Sequence, residues 1–462
     1  METEGSVPQF LRPGTSLDLQ ITDLAYRGSG VARHGKLVVF VPRTAPGDRA
    51  RVRITAVRRG FAEGRVEEIL QPSPQRVRPR CRHFSVCGGC AYQHLEAGRQ
   101  AESKARQIRE TLRRIGHLEE APILAPLSAP SAYAYRNRLE LHVLRDARGR
   151  TRLGLHRADN PAQTFAIEEC LIASPAVEAL RAALEQALNE HPVSPYDPLR
   201  RRGTLIRAGL RSTSSGETLL ELHTTRLDTP QLRRLAAALS RHPGLRGIVC
   251  ITERETRRGS ALTRQCLWGG SSLWDELCGL KLEFPAGAFA QTHPAMAGEL
   301  YGESVRALGA VGGAACLDLF CGVGVMSLLL QRQGAREVVG VESQAVAVQA
   351  ASRNAEGAGA AGCRFIHASV ESVLGKSPRP LSGGSFDYVL VNPPRGGLST
   401  RALREIVRLA PARLAYISCD PATLARDLRL LTDGGFRVEW VRPLDLFPQT
   451  AHVESVTALS RP

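Results

Sequence analysis

The chain has 462 residues, 43% of them hydrophobic, with a formal net charge of +16. This is too long for one ordinary domain and apolar enough for several packed cores, so a disordered tail-like protein is excluded. No stretch approaches about 18 apolar residues, and the opening METEGSVPQF lacks a basic n-region and an apolar h-region, so neither a transmembrane helix nor a signal peptide is expected. The basic excess favours a polyanionic partner, in the simplest case nucleic acid. It is also uneven: residues 12–82 hold fifteen Lys or Arg against six Asp or Glu, over half the net excess in under a sixth of the length. The eleven cysteines mostly stand alone in strand-like runs, as reduced cytosolic thiols do, so a cytoplasmic protein is expected.

Residues 15–70 read as all-β. The runs LDLQITDLA, LVVFVP, RARVRITAV and GRVEEIL are separated by Gly, Pro and Asp turns, and a small barrel over 10–72 is predicted. The turn Tyr26–Gly30 and the pair Arg58-Arg59 supply aromatic and basic groups, with which small β-barrels bind RNA. A purely structural barrel with solvated arginines is the plainer alternative.

A middle segment, 73–290, opens on Cys81, Cys87 and Cys90, with Gly88-Gly89 in the turn between them. Three thiolates so spaced need a fourth ligand to complete a zinc or 4Fe–4S site, and Cys170 is the best distant candidate. Spacing alone does not choose between the metals. An Arg-rich helix is predicted around Ala97–Ile115. Residues 131–290 read as mixed α/β, with candidate hairpins at Asn137–Leu155 and Thr218–Thr224.

From residue 291 to 462 strands and helices alternate. Strands are predicted at Ala314–Leu319, Val338–Val341, Cys363–Ile366, Tyr388–Val391, Leu414–Ile417 and Arg437–Val441. Helices are predicted at Val325–Arg332, Gln344–Glu356, Thr400–Leu409 and Ala422–Leu431. This is the pattern of an α/β, doubly wound, Rossmann-like sheet.

Four motifs in this last segment carry chemistry. Asp318–Gly324 reads DLFCGVG, a strand end and a glycine turn that lets backbone approach a ligand. Without a third glycine it does not favour a dinucleotide. Glu342, ending the next strand, can accept from ribose hydroxyls, and the pair is typical of S-adenosylmethionine sites. Asn392-Pro-Pro-Arg395 is a rigid turn suited to holding a planar group, with Arg395 suited to a phosphate or carbonyl oxygen. Cys419 follows a strand and precedes Asp420-Pro421, where ligands bind in such sheets. A thiolate adding to carbon 6 of uracil would activate carbon 5 for methylation, after which a base must remove the carbon 5 proton. Glu454, in FPQTAHVES before the strand-like VESVTAL, is the candidate base, and His452 ranks below it.

With these motifs in this order, the chain closely resembles the RNA 5-methyluridine methyltransferase family over nearly its whole length. The resemblance implies a TRAM domain for the basic barrel and a 4Fe–4S cluster on Cys81, Cys87, Cys90 and Cys170. It implies that Gln291, Phe320, Gly322, Gly324, Val325, Glu342 and Asn392 line the S-adenosylmethionine site. Cys419 would be the nucleophile and Glu454 the base. Phe320 stands where Tyr is frequent, Val325 where some members carry Asn, and Asn392 where several carry Asp. Barrel and cluster together resemble the branch acting on large-subunit rRNA, so RNA, and 23S rRNA in particular, is the expected partner. No membrane and no obligate protein partner is expected. The alternatives are a tRNA 5-methyluridine methyltransferase, a non-catalytic RNA-binding or ribosome-assembly factor, an RNA 5-methylcytosine enzyme and an iron–sulfur redox protein. A 5-methylcytosine enzyme would need paired Pro-Cys and Thr-Cys contexts, and the catalytic half has neither pairing.

Overall fold

The computed structural model describes residues 11–256, 259–375 and 385–461. The opening METEGSVPQF and the outermost predicted domain limits, residues 10 and 462, lie outside the described residues.

The N-terminal sheet has six strands in the order Ser16–Gln20, Arg49–Arg58, Phe61–Gln71, Leu37–Pro42, Ser29–His34 and Asp23–Leu24. Arg49–Arg58 alternates over its first six residues. Ala50, Val52 and Ile54 point into the core while Arg49, Arg51 and Arg53 point out, as a period of two requires. Arg51 pairs with Asp18 and Glu68, and Arg53 with Glu67, so part of this face's positive charge is already neutralised. The strand Ser29–His34 escaped the sequence reading because SGVARH carries little β propensity. Gly30 within it has no alternative: an added Cβ would lie 1.9 Å from Thr44 Oγ1.

The middle sheet has seven strands, in the order Gly259–Gly269, Leu245–Thr256, Thr218–Thr224, Leu205–Ser212, Arg138–Arg145, Thr151–His156 and Thr164–Ala166. The predicted hairpin at Asn137–Leu155 is present as Arg138–Arg145 paired antiparallel with Thr151–His156. Thr218–Thr224 is not a hairpin. It is one strand, antiparallel to Leu205–Ser212 and parallel to Leu245–Thr256, with no turn residue inside it. Helices Pro175–Glu190 and Pro230–Leu239 pack their Leu and Val side chains on this sheet.

The C-terminal sheet runs Cys363–His367, Glu337–Glu342, Ala315–Leu319, Tyr388–Val391, Arg413–Ser418, Glu454–Ser460 and Arg437–Leu444. The first five strands are parallel, and Glu454–Ser460 alone runs against them, antiparallel to both Arg413–Ser418 and Arg437–Leu444. Strands covered on both faces are continuously buried, as in Ala315–Leu319, which is apolar except for Asp318. The strand order reverses between Ala315–Leu319 and Tyr388–Val391, which opens a crevice at their carboxyl ends. The six strands and four helices predicted here are observed, shifted by a few residues at most at their ends. Two helices, Pro294–Leu308 and Val370–Leu374, were not anticipated.

The helix predicted around Ala97–Ile115 spans Ala97–Arg114. Although it falls in the middle segment of the sequence, its Ile108 and Leu112 join the core of the C-terminal sheet. The following chain stays there: Ile123 and Leu127 bridge to Val441 and Leu444. At Gly116 a Cβ would lie 2.7 Å from Leu112 O and 3.1 Å from Ala425 O, so only glycine permits this close approach.

Candidate active site and thiol pocket

Cys419 sits on a turn pinned at both ends. The strand Arg413–Ser418 stops at Ser418, and Pro421 opens the helix Pro421–Asp433 at a position where its missing N–H costs nothing. Asp420 caps that helix, its Oδ1 accepting from Ala422 N at 2.9 Å and Thr423 N at 3.1 Å. Ser418 Oγ donates to Asp420 O (3.0 Å) and accepts from Asp420 N (3.2 Å). The half-buried thiol is thereby held at the carboxyl end of its strand.

The antiparallel register then brings in Glu454. Ser418 is opposite Ser455, so Glu454, the first residue of its strand, lies beside Cys419. Glu454 is 5% exposed. Burial pushes its carboxyl up to about 8, with the Arg395 guanidinium pulling the other way. Burial likewise pushes the Cys419 thiol up to about 12, reinforced by the charge of Glu454, opposed by Arg395 and reinforced again by Asp420. Two neighbouring acids in a dry site do not ionise together, which suits groups used one after the other. Arg395 Nη2 lies 3.1 Å from His452 Nε2. Burial, then the cations Arg395, Arg136, Lys104 and Arg27, holds His452 down to about 4, so near neutral pH it is an uncharged ring.

The loop that delivers Glu454 is clamped from outside its own sheet. Gln449 has φ 70°, uncommon for a side chain that is not glycine. Its carbonyl accepts from Ala91 N and Tyr92 N, both at 2.9 Å, and its N–H donates to Gln100 Oε1 at 2.7 Å. Lys104 Nζ reaches Asp445 Oδ1 at 2.6 Å and Phe447 O at 3.0 Å, and Tyr135 Oη donates to Pro448 O at 2.9 Å. None of these clamping residues was visible in the sequence, because each acts through backbone atoms remote in the chain.

The adjoining crevice is lined by Asp318, Phe320, Gly322, Val323, Val325 and Asn392, among others. Phe320 (φ 64°), Gly322 (φ 56°) and Gly324 (φ 87°) turn the chain sharply from strand to helix. A Cβ on Gly324 would press on Phe365 and Ala351 at 3.0–3.1 Å. Glu342 Oε2 accepts from Gly322 N at 3.2 Å and Oε1 from Gln344 N at 2.8 Å, tying the glycine turn to the next strand. Gln291 is buried in a neighbouring cavity that shares Phe284, Ala290 and Tyr301 with the crevice. Asp318 is the telling atom set. Its Oδ2 accepts from Ser327 Oγ at 2.6 Å, but the buried Oδ1 has no partner among the described residues. Burial raises this carboxyl to about 6. An orphaned buried acceptor in a crevice fits a ligand bearing a donor, and the amino group of S-adenosylmethionine is one.

Cys81, Cys87, Cys90 and Cys170 line a single pocket, with Phe84, Leu155, Ile167 and Leu171 among its apolar walls. Burial raises the thiols of Cys87, Cys90 (to about 12) and Cys170 (to about 11). Gly88 packs closely, since an added Cβ would lie 3.3 Å from both Arg157 O and His156 O. Among the described residues no group of three or more His, Cys, Asp or Glu is arranged to hold a metal ion.

The reversed parallel sheet, with its acidic glycine turn tied to the carboxylate that ends the next strand, is the fold of an S-adenosylmethionine-dependent methyltransferase. Comparison with known proteins narrows this. The family model of tRNA (uracil-5-)-methyltransferases matches residues 99–462, and that of the TRAM domain matches residues 11–66. The chain belongs to that uracil-5-methyltransferase family and is an enzyme acting on RNA. It is 36% identical to an RNA methyltransferase of Thermosynechococcus vestitus, covering 97% of this chain and 98% of the relative. It is 30% identical to one of Halalkalibacterium halodurans, covering 96% of each. It also superposes on the crystal structure of the Pyrococcus abyssi tRNA (uracil-54, C5)-methyltransferase with S-adenosyl-L-homocysteine. That match has a TM-score of 0.73 and 25% identity, over 95% of this chain and 98% of that one. No helix among the described residues is long and apolar enough to cross a membrane.

Proposed function

We propose that this enzyme methylates carbon 5 of a uridine in 23S rRNA, with Cys419 as nucleophile and Glu454 as base. The observation that carries this reading is the strand pairing that sets Glu454 beside Cys419 at the carboxyl end of the Arg413–Ser418 strand. The Cys419 thiolate forms a bond to carbon 6, and the electron pair of the 5,6 double bond moves onto carbon 5 and the 4-carbonyl. S-adenosylmethionine, when bound, supplies the methyl group that carbon 5 receives. Glu454 then takes the carbon 5 proton, the double bond re-forms, and the C6–S bond breaks with its electron pair returning to sulfur. Phe320, Gly322, Gly324, Val325, Glu342, Asn392 and Gln291 would line the cofactor, with Asp318 Oδ1 available for its amino group. The target base has to leave any stack to reach a thiol held this deep.

The four-thiol pocket supports a 4Fe–4S cluster on Cys81, Cys87, Cys90 and Cys170, with zinc as the alternative. One zinc ion needs its sulfurs to converge at about 2.3 Å, whereas a cluster is bound by four cysteines around a larger body. Its role here would be structural: Ala91 and Tyr92, which follow Cys90, hold the Gln449 loop. The barrel and this pocket together support rRNA as substrate, in the cytoplasm, with the chain divided at 10–72, 73–290 and 291–462. Likeness to the Pyrococcus abyssi enzyme favours a second reading, a tRNA uridine. Mass spectrometry of 5-methyluridine in separated rRNA and tRNA from cells lacking the gene decides between them. Loss from 23S rRNA, restored by wild type and not by Cys419→Ala, is expected; loss from tRNA alone would overturn the rRNA assignment.

A further inference from the structure

The turn of the N-terminal barrel reaches the nucleophile. Tyr26 Oη donates to Asp420 Oδ2 at 3.0 Å, joining residues 394 positions apart. Asp420 is the chain neighbour of Cys419, and its other oxygen caps the helix that follows. The barrel turn is not loosely placed. Gly28, with φ 91°, packs so closely that an added Cβ would lie 2.9 Å from Ala91 Cβ and 3.0 Å from the Tyr92 ring. Gln107 Nε2 donates both to Leu24 O at 3.2 Å and to Tyr92 Oη at 2.9 Å. The segment that seats Tyr26 therefore also clamps the Glu454 loop through Gln449.

We infer that Tyr26 is a positioning residue of the methyl-transfer reaction, its hydroxyl bonding Asp420 so that the Cys419 turn is fixed and less negative charge faces the thiol. The inference rests on Cys419 being the nucleophile. Four groups face that thiol from the elements packed around it: Glu454 from its strand, Arg395 from the Asn392–Arg395 turn, Asp420 from its own turn, and Tyr26 from the barrel. Of these only Arg395 is cationic; Arg27 lies beyond the Tyr26 ring, 5.9 Å from its centroid. Burial and Asp420 push the Tyr26 phenol further up, so it stays protonated and can only donate to the carboxylate. A donor on Asp420 draws charge off the oxygen and lowers the repulsion that a forming thiolate meets. Docking of the barrel, the RNA-capturing part, would thus be a condition for a reactive nucleophile.

The test is Tyr26→Phe in the intact chain. Alkylation of Cys419 by iodoacetamide is followed on its own peptide across pH, without RNA or cofactor. The profile is expected to move to higher pH, with kcat on RNA falling about tenfold, as for loss of a bond to a charged group. KM for RNA is expected to stay within about twofold, because the change touches only the nucleophile's surroundings. In an Asp420→Asn background, which keeps a capping side chain, Tyr26→Phe should produce no further shift. An unmoved profile, an equal shift in the Asp420→Asn background, or a rise in KM alone would overturn the inference. The alkylation readout needs no methylation, so a wrong RNA assignment and a wrong role for Tyr26 give different results.

Discussion

Burial raises both the Cys419 thiol and the Glu454 carboxyl, and the charge of Glu454 raises the thiol further; this is the central property of the site at the scale of single residues. Cys419→Ala should abolish methyl transfer while RNA binding, read by gel shift, survives; retained turnover would remove the covalent mechanism. Glu454→Gln should allow attack and methyl transfer but stall release, so a covalent RNA–protein adduct accumulates on denaturing gels. The same variant lacks the charge that raises the thiol, so Cys419 alkylation should move to lower pH than in wild type. Stability follows from linkage. The Glu454 carboxyl is raised from 4.5 to about 8 in the fold, so the folded chain binds more protons between those values. Its contribution is complete below the unfolded value and is lost as pH rises through the folded one. Glu454→Gln should therefore gain melting temperature on wild type between about pH 5 and pH 8, in thermal scans at matched ionic strength.

The decisive element is the helix Ala97–Arg114. Its sequence looks like a solvated basic helix, yet Gln100, Ser103, Lys104 and Gln107 are buried beside Ile108 and Leu112. The buried face is polar because it faces loop backbone, whose carbonyls and N–H groups need partners once removed from water. Lys104 is 1% exposed and Asp445 4%, with 2.6 Å between their charged atoms. Burial lowers the lysine and Asp445 counteracts it. Lys104→Met strands a buried carboxylate and should cost about 3–5 kcal/mol in chemical denaturation, with much of it recovered in Lys104→Met/Asp445→Leu. Periodicity placed this helix correctly in the chain. It could not place it on the C-terminal sheet, since the apolar signal is confined to Ile108 and Leu112 in its second half.

Across the whole molecule, three stretches of the chain converge on one site: the barrel turn with Tyr26 and Arg27, the middle segment with Arg136 and Lys104, and the C-terminal sheet with Arg395, Cys419 and Glu454. A net charge of +16 with cations around His452 predicts electrostatic capture of RNA. The logarithm of affinity should fall linearly with the logarithm of salt, with a slope of about −0.7 per phosphate contacted on a single strand. A flat dependence in filter binding from low to moderate salt would argue against that mode of capture.

The sheet and its glycine turn were legible in the sequence because each is local: strand runs with period or continuity, and a DLFCGVG turn; the proposed nucleophile and base stood out likewise as a cysteine and a glutamate at strand ends. The order of the four motifs carried the family. What the tertiary structure alone decided is which distant groups touch. Glu454 meets Cys419 through an antiparallel register, Tyr26 meets Asp420 across 394 positions, and Lys104 meets Asp445 in the interior. Such pairings leave no periodic trace, because a single buried hydrogen bond depends on where two elements dock and not on the composition of either one.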